Sequence, residues 1–161
     1  MSHGNIYQLA TKPIADDKKI TPDEFYDNHD AYADWIGDEE EGEEREVCIR
    51  YLASELQGMF DLDEEEGVLV YKGIGNYLQE WVDAIHEKAQ AITVENVLNY
   101  LPRATLKDVL NGTHKDNTDR FVIEEYCGRC AEPMADLIEF VKDSMKPGDK
   151  LYFGAIIDFH Y

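Results

Sequence analysis

Seven carboxylates stand within residues 38–46 of the stretch DWIGDEEEGEERE (34–46), and five more within DLDEEEG (61–67). Ionised carboxylates are almost never fully buried unless paired. Any fold open to this chain must therefore keep both runs at its surface, and must do so although like charges so close together oppose compaction. The apolar segments on either side have to supply the core.

The imbalance extends beyond these runs. Thirty-five acids against fifteen bases give a net charge of −20, and residues 1–66 hold 20 acids and 5 bases against 15 and 10 in residues 67–161. Direct binding of nucleic acid through the acidic half is disfavoured, because phosphate contacts need Lys and Arg to displace counterions. A basic protein is the physical complement.

At 161 residues the chain fits one domain, 1–161, and its 43% apolar content, with ten Tyr, six Phe and two Trp, is enough to offset chain entropy. No apolar run reaches the length of a membrane span, and MSHGNIYQLATKP lacks the pattern of a leader, so a cytoplasmic protein with no membrane partner is expected. Cys48, Cys127 and Cys130 are too few and odd in number for a disulfide framework, which suits a reducing compartment.

Along the chain, NIYQLA (5–10) reads as a strand. Thr21 with Pro22 opens a helix in TPDEFYDN that either breaks or continues through HDAYADWIG. From Glu43, the spacing of Val47, Tyr51, Leu52, Leu56, Met59 and Phe60 predicts a helix, with residues 37–46 as an exposed acidic segment leading into it. VLVYK (68–72) reads as a buried strand, and Tyr77, Leu78, Trp81, Val82, Ile85 and Ala89 as the core-facing stripe of a helix. Thr93 and Thr105 are expected to cap two shorter helices, ended by Pro102 and Gly112. RFVIEEY (120–126) is a strand and Glu132–Pro133 the start of a helix. In the last segment Leu151, Phe153, Ala155, Ile157 and Phe159 alternate as one face of a half-buried strand. The sum is an α+β fold: a small, mostly antiparallel sheet of about four short strands, covered on one face by about five helices.

Chemical motifs are few. In YCGRCAEPM a strand-like segment feeds Cys127-Gly-Arg-Cys130, with a helix after it. Locally this resembles the active-site turn of thioredoxin-like oxidoreductases, which implies a thiol activated by the helix N-terminus and by Arg129. The resemblance spans about twenty residues; no later proline occupies the place where that fold needs a cis-proline strand. A zinc site would need Cys48 with His86 or His114 as further ligands, at a spacing unlike that of a finger or ribbon. Asp61, Asp63 and Glu65 fail the EF-hand pattern, since the seventh position rather than the sixth is glycine and the twelfth is Lys72. KGIGN (72–76) reads as a turn, and no P-loop, zincin or Gly-x-Ser-x-Gly motif occurs. Asp158 and His160 point the same way along the final strand, with nothing in the spacing to join them to Cys127.

The expectation is therefore a binding protein, not an enzyme, with no cofactor and no metal. It would inhibit a basic nucleic-acid-binding protein or nuclease, in the physical style of anti-restriction, anti-CRISPR or toxin-immunity proteins, by a carboxylate array that imitates phosphates. The expected contact residues are Asp38, Glu39, Glu40, Glu41, Glu43, Glu44 and Glu46, with Asp61, Asp63, Glu64, Glu65 and Glu66 as a second patch, and Tyr32 and Trp35 as aromatic anchors or core. The alternative is a thiol-redox or zinc-binding domain using Cys127 and Cys130.

Overall fold

A computed structural model describes residues 3–26, 33, 35–111 and 118–160. Among these the class is α+β, but the sheet has six strands rather than about four. Its organiser is β6 (Lys150–His160), the longest strand, which pairs antiparallel along one edge with β1 (His3–Ala10). Its other edge is shared: β4 (Val68–Tyr71) pairs with residues 150–152, and β2 (Trp35–Glu39) with residues 157–160. β3 (Phe60–Asp63) extends the sheet beyond β4, and β5 (Arg120–Ile123) runs parallel to β1 at the opposite side.

The single face expected of the last strand is in fact two. Tyr7 pairs with Ile156 but Leu9 with Phe153, so Gly154 and Ala155 together stand opposite Gln8. One extra residue in a strand reverses the alternation that follows it. Leu151, Phe153 and Ile156 therefore join the core under the helices, whereas Ala155, Ile157 and Phe159 join a second core on the other side of the sheet.

The bulge is held by a buried polar side chain. Gln8 Oε1 accepts the backbone N–H groups of Ile20 and Ala155, each at 3.0 Å. Its Nε2 donates to the carbonyl of Lys18 at 2.9 Å and to Glu124 Oε1 at 2.7 Å. The side chain crosses Gly154 so closely that a Cβ there would lie 2.1 Å from Gln8 Oε1. A buried amide is tolerated when its hydrogen-bonding capacity is filled in this way.

Helices α2 (Gly42–Glu55), α3 (Tyr77–Gln90) and α5 (Met134–Ser144) supply the first core, α5 contributing Met134, Leu137, Ile138, Phe140 and Val141. The second core, packed on the face expected to be bare of helices, takes Ile20 and Phe25 from the β1–β2 connection, which contains the four-residue α1 (Asp23–Tyr26). Whether α1 continues lies outside the described residues.

The middle of the chain departs most from expectation. A single helix α4 (Tyr100–Leu110) replaces the two predicted there. Pro102 sits in its first turn, where a missing N–H costs nothing, and Thr105 lies inside it with its hydroxyl donating to the Leu101 carbonyl at 2.9 Å. The α3 stripe is only partly core: Tyr77 is buried, Trp81 and Ile85 are half-buried, Trp81 Nε1 donating to the Val109 carbonyl of α4, and Leu78 and Val82 are exposed. On α2, Ile49 and Leu52 face inward while Val47 and Tyr51 are exposed, and Phe60 belongs to β3.

Candidate functional site

The two acidic runs share the lining of one cleft, through Glu46 of the first and Glu64, Glu65 and Glu66 of the second. The first begins in β2, where Asp38 and Glu39 are strand residues, crosses through Glu40 and Glu41, and enters the first turns of α2 with Glu43, Glu44 and Glu46. It is thus half strand and half helix rather than one exposed loop. The crossing is anchored by the Glu40 N–H, which donates to the Ile156 carbonyl at 2.7 Å. The second run forms the turn between β3 and β4. Asp63 Oδ1 accepts the N–H groups of Glu65 and Glu66, each at 3.1 Å, and Gly67 closes the turn at φ 65°, a conformation open to glycine.

Between α2 and this hairpin lies an open cleft of about 640 Å³. Arg45, Glu46 and Arg50 line it from α2 and Glu64, Glu65 and Glu66 from the turn, with Tyr152 and Phe153 of β6 beneath. The cleft exists because β4 and β2 leave the centre of that β6 edge unpaired by a strand. Arg45 reaches into the gap: Nη2 donates to the Phe153 carbonyl at 3.4 Å, while Nη1 is buried without a hydrogen-bond partner. Burial lowers its pKa from the ordinary guanidinium value.

The predicted contact residues divide by what they already do. Glu46 pairs with Arg50 at 3.6 Å, Asp61 with Lys72 at 2.8 Å, and Glu66 with Lys150. Asp63 holds the hairpin turn. Glu43 and Glu44 stand in the first turn of α2, where the helix dipole favours them. Glu39 and Glu40 are half-buried, and burial followed by the charges of Asp158 and Glu44 raises the Glu40 pKa above the usual carboxylate range. Asp38, Glu41, Glu43, Glu44, Glu64 and Glu65 are exposed. Trp35 is 48% exposed, its ring lying over Gly37 and 4.6 Å from the His160 ring. Tyr32 lies outside the described residues.

Cys127 and Cys130 are free and exposed in the β5–α5 connection, four or more residues before α5 begins at Met134. Arg129 does not serve them; its guanidinium pairs with Glu24 at 3.2 Å and Glu124 at 3.6 Å and donates to the Lys18 carbonyl at 2.8 Å. Cys48, half-buried on α2, is pushed up to about 11 by burial and by Glu40, Asp119 and Asp158. His86 is exposed on α3, and His114 lies outside the described residues.

One grouping has no counterpart in the predicted site: His3, Asp158 and His160 place one ligand-type atom each within 4.8 Å of one another. The sequence signal was the Asp158/His160 spacing; His3 joins only through the β1–β6 pairing.

Comparison with protein-family models, curated proteins and solved structures finds no match to this chain. Among the described residues, no helix is long and apolar enough to cross a membrane.

Proposed function

We propose that this is an acidic binding protein, without catalysis of its own, that docks onto a basic nucleic-acid-processing protein and inhibits it by standing in for phosphates, in the manner of anti-restriction, anti-CRISPR or toxin-immunity inhibitors. The observation that carries the reading is that one concave surface, the α2–hairpin cleft, is lined by carboxylates of both runs, Glu46 from the first and Glu64, Glu65 and Glu66 from the second, although the runs lie more than a dozen residues apart in sequence. The docking charges are Asp38, Glu41, Glu43, Glu44, Glu64 and Glu65, since the other acids are paired, half-buried or committed to the turn. We place the protein in the cytoplasm, a reading supported by three free cysteines. The thiol alternative has less support, because Arg129 is turned to carboxylates instead of to Cys127 or Cys130.

The test is capture of the partner from cells carrying restriction, CRISPR or nuclease-toxin systems, followed by competition with duplex DNA for that partner. Association should fall from the order of 10⁸ M⁻¹s⁻¹ at low salt towards about 10⁵–10⁶ M⁻¹s⁻¹ as ionic strength rises. Lysine at Glu41, Glu43, Glu44, Glu64 and Glu65 together should abolish the competition. Binding indifferent to salt, or competition that survives the five reversals, overturns the proposal.

A further inference from the structure

At the end of the sheet away from the hairpin, β1 and β6 present three ligand-type side chains to one point. His3 and His160 are direct cross-strand partners, and Asp158 lies two residues before His160 on the same strand and therefore on the same face. Side chains at paired positions of an antiparallel sheet start about 4.5–5.5 Å apart, which is why two imidazoles can converge here. The His3 and His160 ring centroids are 3.8 Å apart, with planes at 71°. Asp158 lies between them: Oδ1 is 3.3 Å from His3 Nδ1 and Oδ2 is 3.8 Å from His160 Nε2.

We infer that His3, Asp158 and His160 form a binding site for a divalent transition-metal ion, zinc foremost. A His–Asp hydrogen bond accounts for His3 alone. His160 Nε2 is too far from the carboxylate for a hydrogen bond, yet it faces the carboxylate, which is the relation of co-ligands. Two ligands of a tetrahedral zinc ion bonded at about 2.1 Å stand about 3.4 Å apart, close to both spacings. Two imidazoles and one carboxylate suit zinc and its neighbours in the first transition row, whereas magnesium and calcium take all-oxygen sets. Three protein ligands leave a position for water on the His3 side, where that side chain is 60% exposed; His160 and Asp158 are 16% and 22% exposed, and the Trp35 ring lies tilted against His160 at 4.6 Å.

The surroundings favour a cation. The charge of Asp158 reaches both Glu40 and Cys48, and each holds its proton more tightly than usual, burial being the larger cause. A bound dication would offset this surplus of negative charge. The inference is independent of the partner-docking reading, since the cleft and its carboxylates take no part in it.

The experiment titrates the full chain with Zn²⁺ and with Co²⁺, by calorimetry and by visible absorption, with Mg²⁺ and Ca²⁺ as competitors. One equivalent of zinc or cobalt should bind, unaffected by either competitor. Co²⁺ should quench the fluorescence of Trp35, and Trp35→Phe should remove that quenching while Trp81 remains. His3→Ala and His160→Ala should each weaken binding by at least about tenfold, whereas the Cys127→Ser/Cys130→Ser pair should leave it unchanged. His3 is exposed, so its variant keeps the test valid should His160→Ala fail to fold. Binding that ignores the histidines, that follows the cysteines or the acidic runs, or that magnesium displaces overturns the inference.

Discussion

Replacing Gln8 by leucine removes little volume but breaks four hydrogen bonds at once. Two of the abandoned partners, the N–H groups of Ile20 and Ala155, belong to residues with no exposed surface, so water cannot take over. Each orphaned buried group costs about 1–3 kcal/mol, giving about 2–6 kcal/mol for the pair before the Lys18 carbonyl is considered. Against a total stability of about 5–15 kcal/mol for a domain, this is a large fraction. In urea, with a slope of about 2 kcal/mol/M, the unfolding midpoint should fall by about 1–3 M. Circular dichroism and tryptophan fluorescence should report the same shift. A loss below about 1 kcal/mol with an unchanged slope would refute the reasoning, since it would mean that the amide is not what fixes the bulge. The bulge matters beyond stability because it decides which face Asp158 and His160 occupy.

Other outcomes follow from the same geometry. Gly154→Ala should destabilise by thrusting a methyl group into Gln8, and should cost less in a Gln8→Ala background; additive losses in the double mutant would argue that the two do not touch. Cys48, with its thiol pushed up to about 11, should be roughly 0.1% thiolate at pH 8, against about 24% for an ordinary thiol. Mass spectrometry of alkylated peptides should find Cys127 and Cys130 modified long before it; equal rates would contradict its burial. Glu40 binds its proton more tightly folded than unfolded, so the stability it confers is present below the ordinary carboxylate value and lost as pH rises through the raised folded value. Glu40→Gln should therefore stabilise the protein at neutral pH in the presence of a chelator, with the gain disappearing in acid. Destabilisation at pH 7 would invert the sign and reject the cause assigned to the shift.

Strands that bury apolar residues on both faces were legible from sequence: β1, β4, β5 and β6 all lie where compact apolar runs predict them. β2 and β3 were not, because each carries acids, and in β2 also a glycine, at positions a strand pattern would fill with apolar side chains. Their pairing comes from the long β6 edge and the hairpin rather than from local propensity. The α3 stripe misled for the converse reason: its periodicity is real, but α4 covers only part of it, and no local signal states how wide a neighbour will be. Gln8 was visible only as a lone amide within NIYQLA, and the bulge it supports turned one predicted face into two. Of the candidate site, sequence supplied every carboxylate but not the cleft that Glu46 shares with Glu64, Glu65 and Glu66, which depends on the gap between β4 and β2. The His3–Asp158–His160 grouping spans nearly the whole chain: Asp158 and His160 were visible as one face of a strand, and His3 joins them only through strand register.

Because β6 pairs with β1, β2 and β4, the sheet has no centre until residues 150–160 have been synthesised. On the ribosome, the earlier strands must wait with unpaired edges and uncovered apolar faces, the condition in which nascent chains stick to one another. Mutual repulsion among the acidic runs acts throughout that interval. The same charges that burden the finished molecule would keep its unfinished copies apart.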